Sequence, residues 1–328
     1  YRAGMPRHYL TAALACAALT IAGCGGDSGG SAGGTFGQQP QITIPNPVPT
    51  SLTVTTPITG KGPKIGKTDF VIAHVVAKVV RGGTEFFNSF KNGTPVGFPM
   101  GSGQLLPGWE TGLDSKTEGS RVVILTPPAD AFGEQGNPDL KITKDDSVIA
   151  SFDILSVFTA DASADGTPVA PVAGLPTVTA EAGKKPKITF PANYKPSGKL
   201  VVQPLLQGSG ETIVSGDTLV AQYVGVIAPG GKQFDASWDR KQVASFPIGV
   251  SQVIPGWDKG LVGTKIGSRV LLVIPPADGY GKSGNAQAGI KGTDTLVFVV
   301  DVLGRIPAPK PTTTATTDTS TAATSTTP

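Results

Sequence analysis

An internal repeat constrains the fold of this chain more than any other feature of its sequence. Residues 58–155 align with residues 206–303 at a shift of 148 positions and without a gap. The segment GSRVVILTPPADAFGEQGN, which begins at residue 119, pairs with GSRVLLVIPPADGYGKSGN, and LLPGWETGL pairs with VIPGWDKGL. About a third of the aligned residues are identical, which indicates a duplicated domain of about 100 residues.

Each copy has the pattern of a β-rich domain. In the first copy, FVIAHVVAKV, RVVILTPP and SVIASFDILSVF have the composition of strands, and LVAQYVGVI, RVLLVIPP and TLVFVVDVL correspond to them in the second. Gly-Gly and Pro-Pro pairs end several of these segments. The only helix-like stretch begins at Pro-Gly-Trp, where proline suits the first helical turn. We therefore predict an α+β fold, with a twisted antiparallel sheet wrapped on one short helix in each copy.

The N-terminal residues 1–23 have the pattern of a secretory signal peptide. A basic start precedes an apolar run that is too short to span a membrane, and the run ends in small residues. Ile21, Ala22 and Gly23 directly precede Cys24, and this ending resembles the bacterial lipobox, in which the cysteine becomes the lipidated first residue. The predicted location is therefore extracytoplasmic, with Cys24 anchoring the protein to the bacterial cell membrane. An ordinary signal peptide with an incidental cysteine is the alternative.

Composition divides the remainder of the chain into domains and connecting segments. Gly/Ser-rich and then Pro-rich residues predict a flexible tether, whereas a Thr-rich end predicts disorder. The predicted organisation is a tether at 24–50, a degenerate first domain at 51–160, a linker at 161–176, a second domain at 177–306 and a disordered tail at 307–328.

Charge and histidine content exclude several classes of function. The chain has 27 Lys and Arg against 24 Asp and Glu, a formal charge of +3, and no basic block, so a nucleic-acid partner is not expected. His8 and His74 are its only histidines, and His8 lies in the predicted signal peptide. No Ser-His-Asp triad or metal-ligand cluster can be assembled from the mature chain, and we predict neither a metal nor another cofactor.

The second copy resembles the FK506-binding-protein (FKBP) type of peptidyl-prolyl cis-trans isomerase. The resemblance rests on GDTLVAQYVGVIAPGGKQFDASWDR, FPIGVSQVIPGWDKGLVGTKIGSRVLLVIPPADGYG and TLVFVVDVL, which occur in family order over most of residues 200–304. It implies a pocket lined by aromatic side chains and isomerase activity on proline-containing polypeptides, unfolded or exported. It also implies FK506-like macrolides as candidate ligands.

The resemblance also implies which residues form the site. Trp257 corresponds to the pocket floor, the Tyr280 hydroxyl to a donor for the substrate carbonyl, and Asp235, oriented by the Tyr223 hydroxyl, to the group that faces the rotating amide. The remaining substrate-binding positions are apolar: Phe234, Val253, Ile254, Ile290 and Phe298. The chain departs from the family at Ala244, where an aromatic residue is usual, so one wall of the pocket is expected to be thinner.

The first copy retains only part of this set. The apolar residues Phe86, Leu105, Leu106 and Trp109 are kept, whereas Val75, Phe87, Phe132 and Ala150 replace Tyr223, Asp235, Tyr280 and Phe298. An apolar cleft without polar groups indicates a binding or spacer domain, and a weak isomerase is the alternative. Phe87 gains the volume that Ala150 loses, so we expect Phe87 and Phe132 to fill this cleft partly.

These observations lead to three hypotheses. The first is a membrane-tethered prolyl isomerase that assists the folding of exported proteins, with its activity in the C-terminal domain. The second is a chaperone-like protein that binds unfolded segments with little turnover. The third is a structural surface lipoprotein on a degenerate fold, and retention of Tyr223, Asp235 and Tyr280 argues against it.

Overall fold

A computed structural model describes residues 30–309, which contain two large antiparallel sheets, each with one short α-helix, and two small two-stranded sheets. This agrees with the fold predicted from the repeat. The predicted signal peptide, Cys24 and nearly all of the predicted tail lie outside the described residues. No helix within residues 30–309 is long and apolar enough to cross a membrane.

The first domain has a main sheet and a small hairpin. Its elements are β1 (Ser31–Gly33), β2 (Gln41–Thr43), β3 (Thr53–Ile58), β4 (Phe70–Val79), β5 (Glu85–Asn88), β6 (Val96–Pro99), α1 (Pro107–Leu113), β7 (Arg121–Thr126) and β8 (Val148–Phe158). The main sheet has the order β3-β7-β8-β4-β5, and β6 also pairs with β4. Strands β1 and β2 pair with each other.

The second domain repeats this plan and adds one strand. Its elements are β9 (Thr167–Pro168), β10 (Thr177–Thr179), β11 (Lys187–Thr189), β12 (Val201–Gln207), β13 (Thr218–Ile227), β14 (Lys232–Ala236), β15 (Ala244–Pro247), α2 (Pro255–Leu261), β16 (Arg269–Ile274) and β17 (Leu296–Ile306). The sheet has the order β14-β13-β17-β16-β12-β9, and β15 also pairs with β13. The added strand β9 extends the edge at β12.

Each helix lies close against its sheet because two glycines face the strands. In α2, a Cβ atom added to Gly256 would lie 2.6 Å from Ile274, and one added to Gly260 would lie 2.7 Å from Leu272. Gly108 and Gly112 of α1 face the first sheet in the same way. The shared motif Pro-Gly-Trp-x-x-Gly-Leu therefore combines a proline that starts the helix with two glycines that let its backbone approach the sheet.

The predicted flexible tether at 24–50 is wrong for the residues that the structure describes. From residue 30 onward this segment folds onto the back of the first sheet, where Ala32, Ile42 and Ile44 pack on a cluster that includes Val123 and Ile149. In the second domain, hairpin β10–β11 likewise places Val178, Ile188 and Phe190 on the back of its sheet. These hairpins are also duplicated, but at a shift of 146 rather than 148 residues, which hides them from an ungapped alignment of the domains.

The predicted linker at 161–176 is also ordered rather than free. It contributes β9 to the second sheet, and the backbone N–H of Ala164 donates to Asp301 Oδ2 at 3.0 Å. The two sheets also contact each other through an apolar cluster containing Phe70, Ile72, Phe158, Val220, Leu303 and Ile306. The connection between the domains is therefore packed against both of them.

We expect Asp146 to make the stability of the first domain depend on pH. This carboxylate is 3 % exposed and accepts hydrogen bonds from Arg81 and Thr143, and the Arg81 hydrogen bond is the main cause that holds its pKa well below the usual value. Because the folded pKa is the lower one, this stabilisation is complete above the unfolded pKa of about 4 and is lost as the pH falls.

Asp146→Asn should therefore lower the melting temperature of the first domain at pH 7 more than at pH 3. The matched control is Asp294→Asn, since within residues 30–309 the Asp294 carboxylate accepts only one hydrogen bond, from the Lys291 N–H at 2.8 Å. Thermal unfolding at the two pH values measures both variants. Equal losses at pH 7 and pH 3 would contradict the role assigned to the Asp146 carboxylate.

Candidate active site

A cavity of about 500 Å³ opens on the concave side of the second sheet. Strands β13, β14, β15 and β17, helix α2 and the segment after Pro276 contribute its walls. Its lining is Tyr223, Phe234, Asp235, Phe246, Ser251, Gln252, Val253, Ile254, Pro255, Trp257, Gly279, Tyr280 and Phe298. The residues are mainly apolar, with acidic and phenolic groups at one side, as expected of a site that binds an apolar group and orients it.

Trp257 lies at the base of the cavity and is 4 % exposed. Its ring packs edge-on against Tyr223 at 5.3 Å, Phe246 at 5.2 Å and Phe298 at 5.3 Å between ring centroids. Phe234 in turn meets Phe298 edge-on at 5.4 Å. Edge-to-face contacts of this kind fix the orientation of each ring, so the walls form a rigid aromatic surface.

A polar cluster of three side chains lies beside these rings. The Tyr223 hydroxyl donates to Asp235 Oδ2, and Arg240 donates through Nη2 to the Tyr223 hydroxyl at 2.8 Å and through Nη1 to Asp235 Oδ1. Burial, together with the hydrogen bond to Asp235, raises the pKa of Tyr223 to about 12. Burial disfavours the Arg240 cation, but its hydrogen bonds to Asp235 and Tyr223 outweigh this effect and raise its pKa. The cluster therefore holds the Asp235 side chain in one orientation.

Tyr280 stands at the rim and is 38 % exposed. It follows the short 3-10 turn at Pro276–Asp278, which the Pro-Pro pair at the end of β16 begins. Among residues 30–309 its hydroxyl has no hydrogen-bond partner, so this donor is free to meet a group that enters the cavity.

The structure brings together every pocket residue expected from the family resemblance except one. Ile290 is 4 % exposed and belongs to the core cluster behind the cavity rather than to its lining. Sequence reasoning missed Phe246 and Arg240. Phe246 lies two residues after Ala244, and side chains at that spacing share one face of a strand, so the aromatic wall is built from the later position. Arg240 lies five residues after Asp235, and the first copy has Asn92 in its place, so it differs between the copies together with the two residues that it contacts.

Comparison with known proteins agrees with this geometry. A sequence model for the family described as "FKBP-type peptidyl-prolyl cis-trans isomerase" matches residues 62–154 and 209–303, which together exceed half of the chain. The chain belongs to this family. It is therefore a tandem FKBP, and the two matches coincide with the two structural domains.

Individual relatives give the same family. The chain is 38 % identical over 120 residues to an FK506-binding protein of Streptomyces anulatus, covering 37 % of this chain and 96 % of that one. It is 38 % identical over 120 residues to a probable FK506-binding protein of Corynebacterium glutamicum, covering 37 % and 98 %. It is also 44 % identical over 111 residues to the FKBP-type peptidyl-prolyl cis-trans isomerase FkpA of Escherichia coli, covering 34 % of this chain and 39 % of that protein.

The first FKBP domain has no counterpart of the polar cluster. Val75, Phe87 and Asn92 occupy the positions of Tyr223, Asp235 and Arg240. The expectation that Phe87 fills the cleft is wrong, because Phe87 is 41 % exposed and is not among the residues that pack in the apolar clusters around Trp109. Phe132 does lie over the cleft: it meets Phe86 edge-on at 6.1 Å and packs in one cluster with Leu106 and Trp109.

The volume missing at Ala150 is restored two residues along the same strand. Phe152, which occupies the position of Val300, meets Trp109 edge-on at 5.2 Å between ring centroids. This separation nearly equals the 5.3 Å between Phe298 and Trp257. The aromatic partner of the tryptophan has thus moved from one inward-facing position to the next, and both cores retain a packed tryptophan.

Proposed function

We propose that the second FKBP domain is the catalytic one and isomerises prolyl bonds in polypeptides outside the cytoplasm, assisting the folding of exported proteins. The observation that carries this proposal is the cluster of Tyr223, Asp235 and Arg240 beside an aromatic cavity, since the first domain has replaced all three residues. The clients are proline-containing segments of unfolded or exported polypeptides, and FK506-like macrolides are candidate ligands of the same cavity.

The chemistry requires a change in the electronic structure of one amide bond. Rotation about a prolyl bond interrupts amide conjugation, and the barrier is about 20 kcal/mol. A planar amide carries more separated charge than a twisted one, so an apolar cavity that removes water disfavours the planar ground state more than the twisted state. Binding that favours the twisted amide accelerates the rotation, because only interactions stronger in the transition state raise the rate.

Each side chain has a defined part in this mechanism. The proline ring rests on Trp257 and contacts Phe234, Val253, Ile254 and Phe298. The Tyr280 hydroxyl donates a hydrogen bond to a substrate carbonyl and limits the positions that the chain adopts at the rim. The Asp235 carboxylate, held by Tyr223 and Arg240, faces the amide as it turns.

We expect Asp235→Ala to lower kcat/KM of the full chain by about tenfold or more, because a hydrogen bond to a charged group is worth about 1.5–3 kcal/mol. Tyr280→Phe should lower it by roughly 2- to 12-fold, as expected for a neutral hydrogen bond of about 0.5–1.5 kcal/mol. A protease-coupled assay with a short proline peptide measures both variants. Unfolding curves show whether the fold is retained.

The matched controls are the equivalent positions of the first domain. Phe87→Ala and Phe132→Ala should leave turnover of the short peptide unchanged, since neither residue lies near the cavity of the second domain. If these controls lower turnover as much as Asp235→Ala does, the assignment of catalysis to the second domain is wrong.

A second function, the binding of unfolded segments with little turnover, has support in the first domain. There Phe87 and Leu140 are 41 % and 37 % exposed, and the cleft has no polar cluster. Apolar side chains that remain exposed are available for contacts with unfolded chains. Suppression of the aggregation of an unfolded client by the Asp235→Ala variant, with turnover lost, would favour this function.

The proposed anchoring rests on Cys24 and the three small or apolar residues before it. Cys24→Ala should release the protein from the membrane fraction of cells that process the native chain, because the acyl chains that bind the bilayer would be absent. Cell fractionation and incorporation of labelled palmitate measure this. Retention of Cys24→Ala in the membrane fraction, with no label on the native chain, would contradict the lipid anchor.

A further inference from the structure

Two buried ion pairs occupy equivalent places in the domains, on the sheet face opposite the tryptophan. In the first domain, Arg121 donates through Nε to Asp153 Oδ1 at 2.6 Å and through Nη2 to Asp153 Oδ2 at 2.7 Å. In the second, Arg269 donates to Asp301 in the same bidentate way, at 2.5 and 2.7 Å. Arg121 is fully buried and Arg269 is 7 % exposed. The two pairs differ in what meets the remaining N–H groups of the arginines.

In the first domain, backbone carbonyls of the same domain accept hydrogen bonds from the remaining N–H groups of Arg121. Arg121 Nη1 donates to the carbonyls of Gly33 and Gly34 at 3.1 and 3.0 Å, and Nη2 donates to those of Thr35 and Gln38 at 2.9 and 2.8 Å. The Gly33 carbonyl ends β1, and the other three carbonyls belong to the turn between β1 and β2. The Gly37 N–H of this turn also donates to Asp153 Oδ2 at 2.7 Å, so one glycine-containing turn caps the whole ion pair.

The second domain has a turn of the same length that does not reach its ion pair. Residues 180–186 connect β10 and β11, as residues 34–40 connect β1 and β2. The second turn instead bonds elsewhere: the Gly183 N–H donates to Ser163 Oγ at 3.2 Å, and Lys185 Nζ donates to Asp239 Oδ1 at 2.6 Å. Ala164 takes the place of Gly37 on the aspartate. No residue within 30–309 accepts a hydrogen bond from Arg269 Nη1.

Arg269 lines a cavity that is separate from the active site. The cavity has a volume of about 380 Å³, and its walls include Val169, Val172, Leu175, Leu205 and Leu271. Leu271 and Arg269 alternate along β16 with Val270 and Leu272, which belong to the core around Trp257. The cavity therefore lies on the opposite face of the sheet from the proline site.

We propose that this cavity, the Arg269 socket, is a second polypeptide-binding site that takes a glycine-containing turn presenting backbone carbonyls to Arg269. The first domain shows that a turn of this kind fits the same guanidinium–carboxylate pair. Ala32 of that hairpin packs beside Val123 and Leu125. In the second domain, Val178 already takes the equivalent place beside Leu271 and Val273, so only the turn of an incoming segment, and not a flanking strand, would occupy the socket.

Charge favours a neutral acceptor over an anion at this place. Asp301 already balances the Arg269 charge through two hydrogen bonds. A second carboxylate at Nη1 would lie near that aspartate and be repelled, whereas a peptide carbonyl supplies an acceptor without adding charge. The apolar walls suit the small side chains that accompany such a turn. Use of the socket to hold folding clients rests on the proposed function, but binding of the turn does not.

The test uses the full chain and a proline-free peptide with the sequence of residues 31–39, SAGGTFGQQ, acetylated and amidated to remove its terminal charges. We expect saturable shifts of the backbone amide resonances of Leu205 and Leu271 and of the Arg269 Nε–H resonance. Val172→Asp, which places a charge at a 51 % exposed rim position, should weaken binding at least tenfold. Arg269→Lys should do the same, because it keeps the charge opposite Asp301 but loses the planar fork.

Two controls distinguish specific binding in the socket from nonspecific peptide binding, and a third measurement tests for loss of the fold. Val214→Asp makes the same change at a 47 % exposed valine that does not line the cavity, and it should leave peptide affinity unchanged. A peptide with Gly34→Val and Gly37→Val should not bind, since these glycines have φ angles of 103° and 78° and β-branched residues disfavour such angles. Unfolding curves measure whether the Arg269→Lys chain is folded.

Several results would overturn the inference: no saturable shifts at millimolar peptide, equal affinity in Val172→Asp and Val214→Asp, or shifts confined to residues around Trp257. Concentration-dependent dimerisation of the chain that excludes the peptide would assign the socket to a second copy and would also overturn it. Peptide binding in a chain that shows no isomerase turnover would refute the proposed function while leaving the socket in place.

Discussion

Trp257→Ala should abolish most isomerase turnover and destabilise the second domain by about 3–5 kcal/mol, the usual cost of removing a large buried aromatic side chain. The indole is 4 % exposed and touches three further aromatic rings. Its removal takes away both the base of the proline site and the centre of a packed cluster. The protease-coupled assay measures the loss of turnover, and denaturant unfolding measures the loss of stability.

The first domain provides the matched control for this variant. Trp109→Ala should destabilise its own domain, though by less, because Trp109 is only partly buried and packs on one aromatic ring, Phe152, whereas Trp257 packs on three. Turnover should persist. Trp257→Phe distinguishes loss of turnover from loss of the fold. It keeps an aromatic ring in the core, so the chain should remain folded while kcat/KM falls. Equal loss of turnover in Trp109→Ala and Trp257→Ala would refute the assignment of catalysis to the second domain alone.

Arg121→Ala should destabilise the first domain by about 3–5 kcal/mol, because the buried Asp153 would be left without its counter-charge. Four backbone carbonyls of the turn at residues 33–38 would lose their donor as well. We therefore expect the segment from residue 30 to become susceptible to proteolysis before the rest of the domain unfolds. Chemical denaturation and limited proteolysis of the full chain measure these effects.

A double variant tests whether the uncompensated charge causes this loss. Arg121→Met combined with Asp153→Leu removes both charges and should recover part of the stability, as replacing a whole buried ion pair often does. Arg269→Ala is the comparison in the second domain and should not change proteolysis near residue 30. A double variant no more stable than Arg121→Ala would show that the carbonyl contacts, rather than the charge on Asp153, dominate the energetics.

Much of the site follows from local sequence. The motif shared by residues 105–113 and 253–261 places a proline at the start of a helix, glycines against the sheet and a tryptophan toward the core, and the structure shows this arrangement in both domains. Tyr223 and Asp235 are both replaced in the first domain, which indicates that the two side chains depend on each other. The structure shows the hydrogen bond between them. These features are readable because they depend on side chains of particular size and chemistry at fixed spacing.

Other features of the site depended on where neighbouring elements lie. Phe87 was expected to fill the first cleft, yet it is 41 % exposed, and Phe152 supplies the ring beside Trp109 instead. Strand register does not explain this, because Phe87 opposes Ala77 as Asp235 opposes Gly225, and both pairings shift at the same step. The reason is that Phe152 already occupies the space beside Trp109, and an aligned sequence does not show which of two inward-facing positions on a strand supplies that ring.

The sequence by itself determined the duplication, the two antiparallel sheets, the short helix in each domain and the concentration of polar site residues in the second. Tertiary structure alone decided that residues 30–50 pack on the first sheet and that the corresponding turn leaves Arg269 uncapped. The physical reason is that these contacts are made largely by backbone carbonyls and N–H groups, which nearly every residue carries. A Gly/Ser-rich composition therefore gives no sign of whether a segment is free or held, and here a buried arginine on a distant strand holds it.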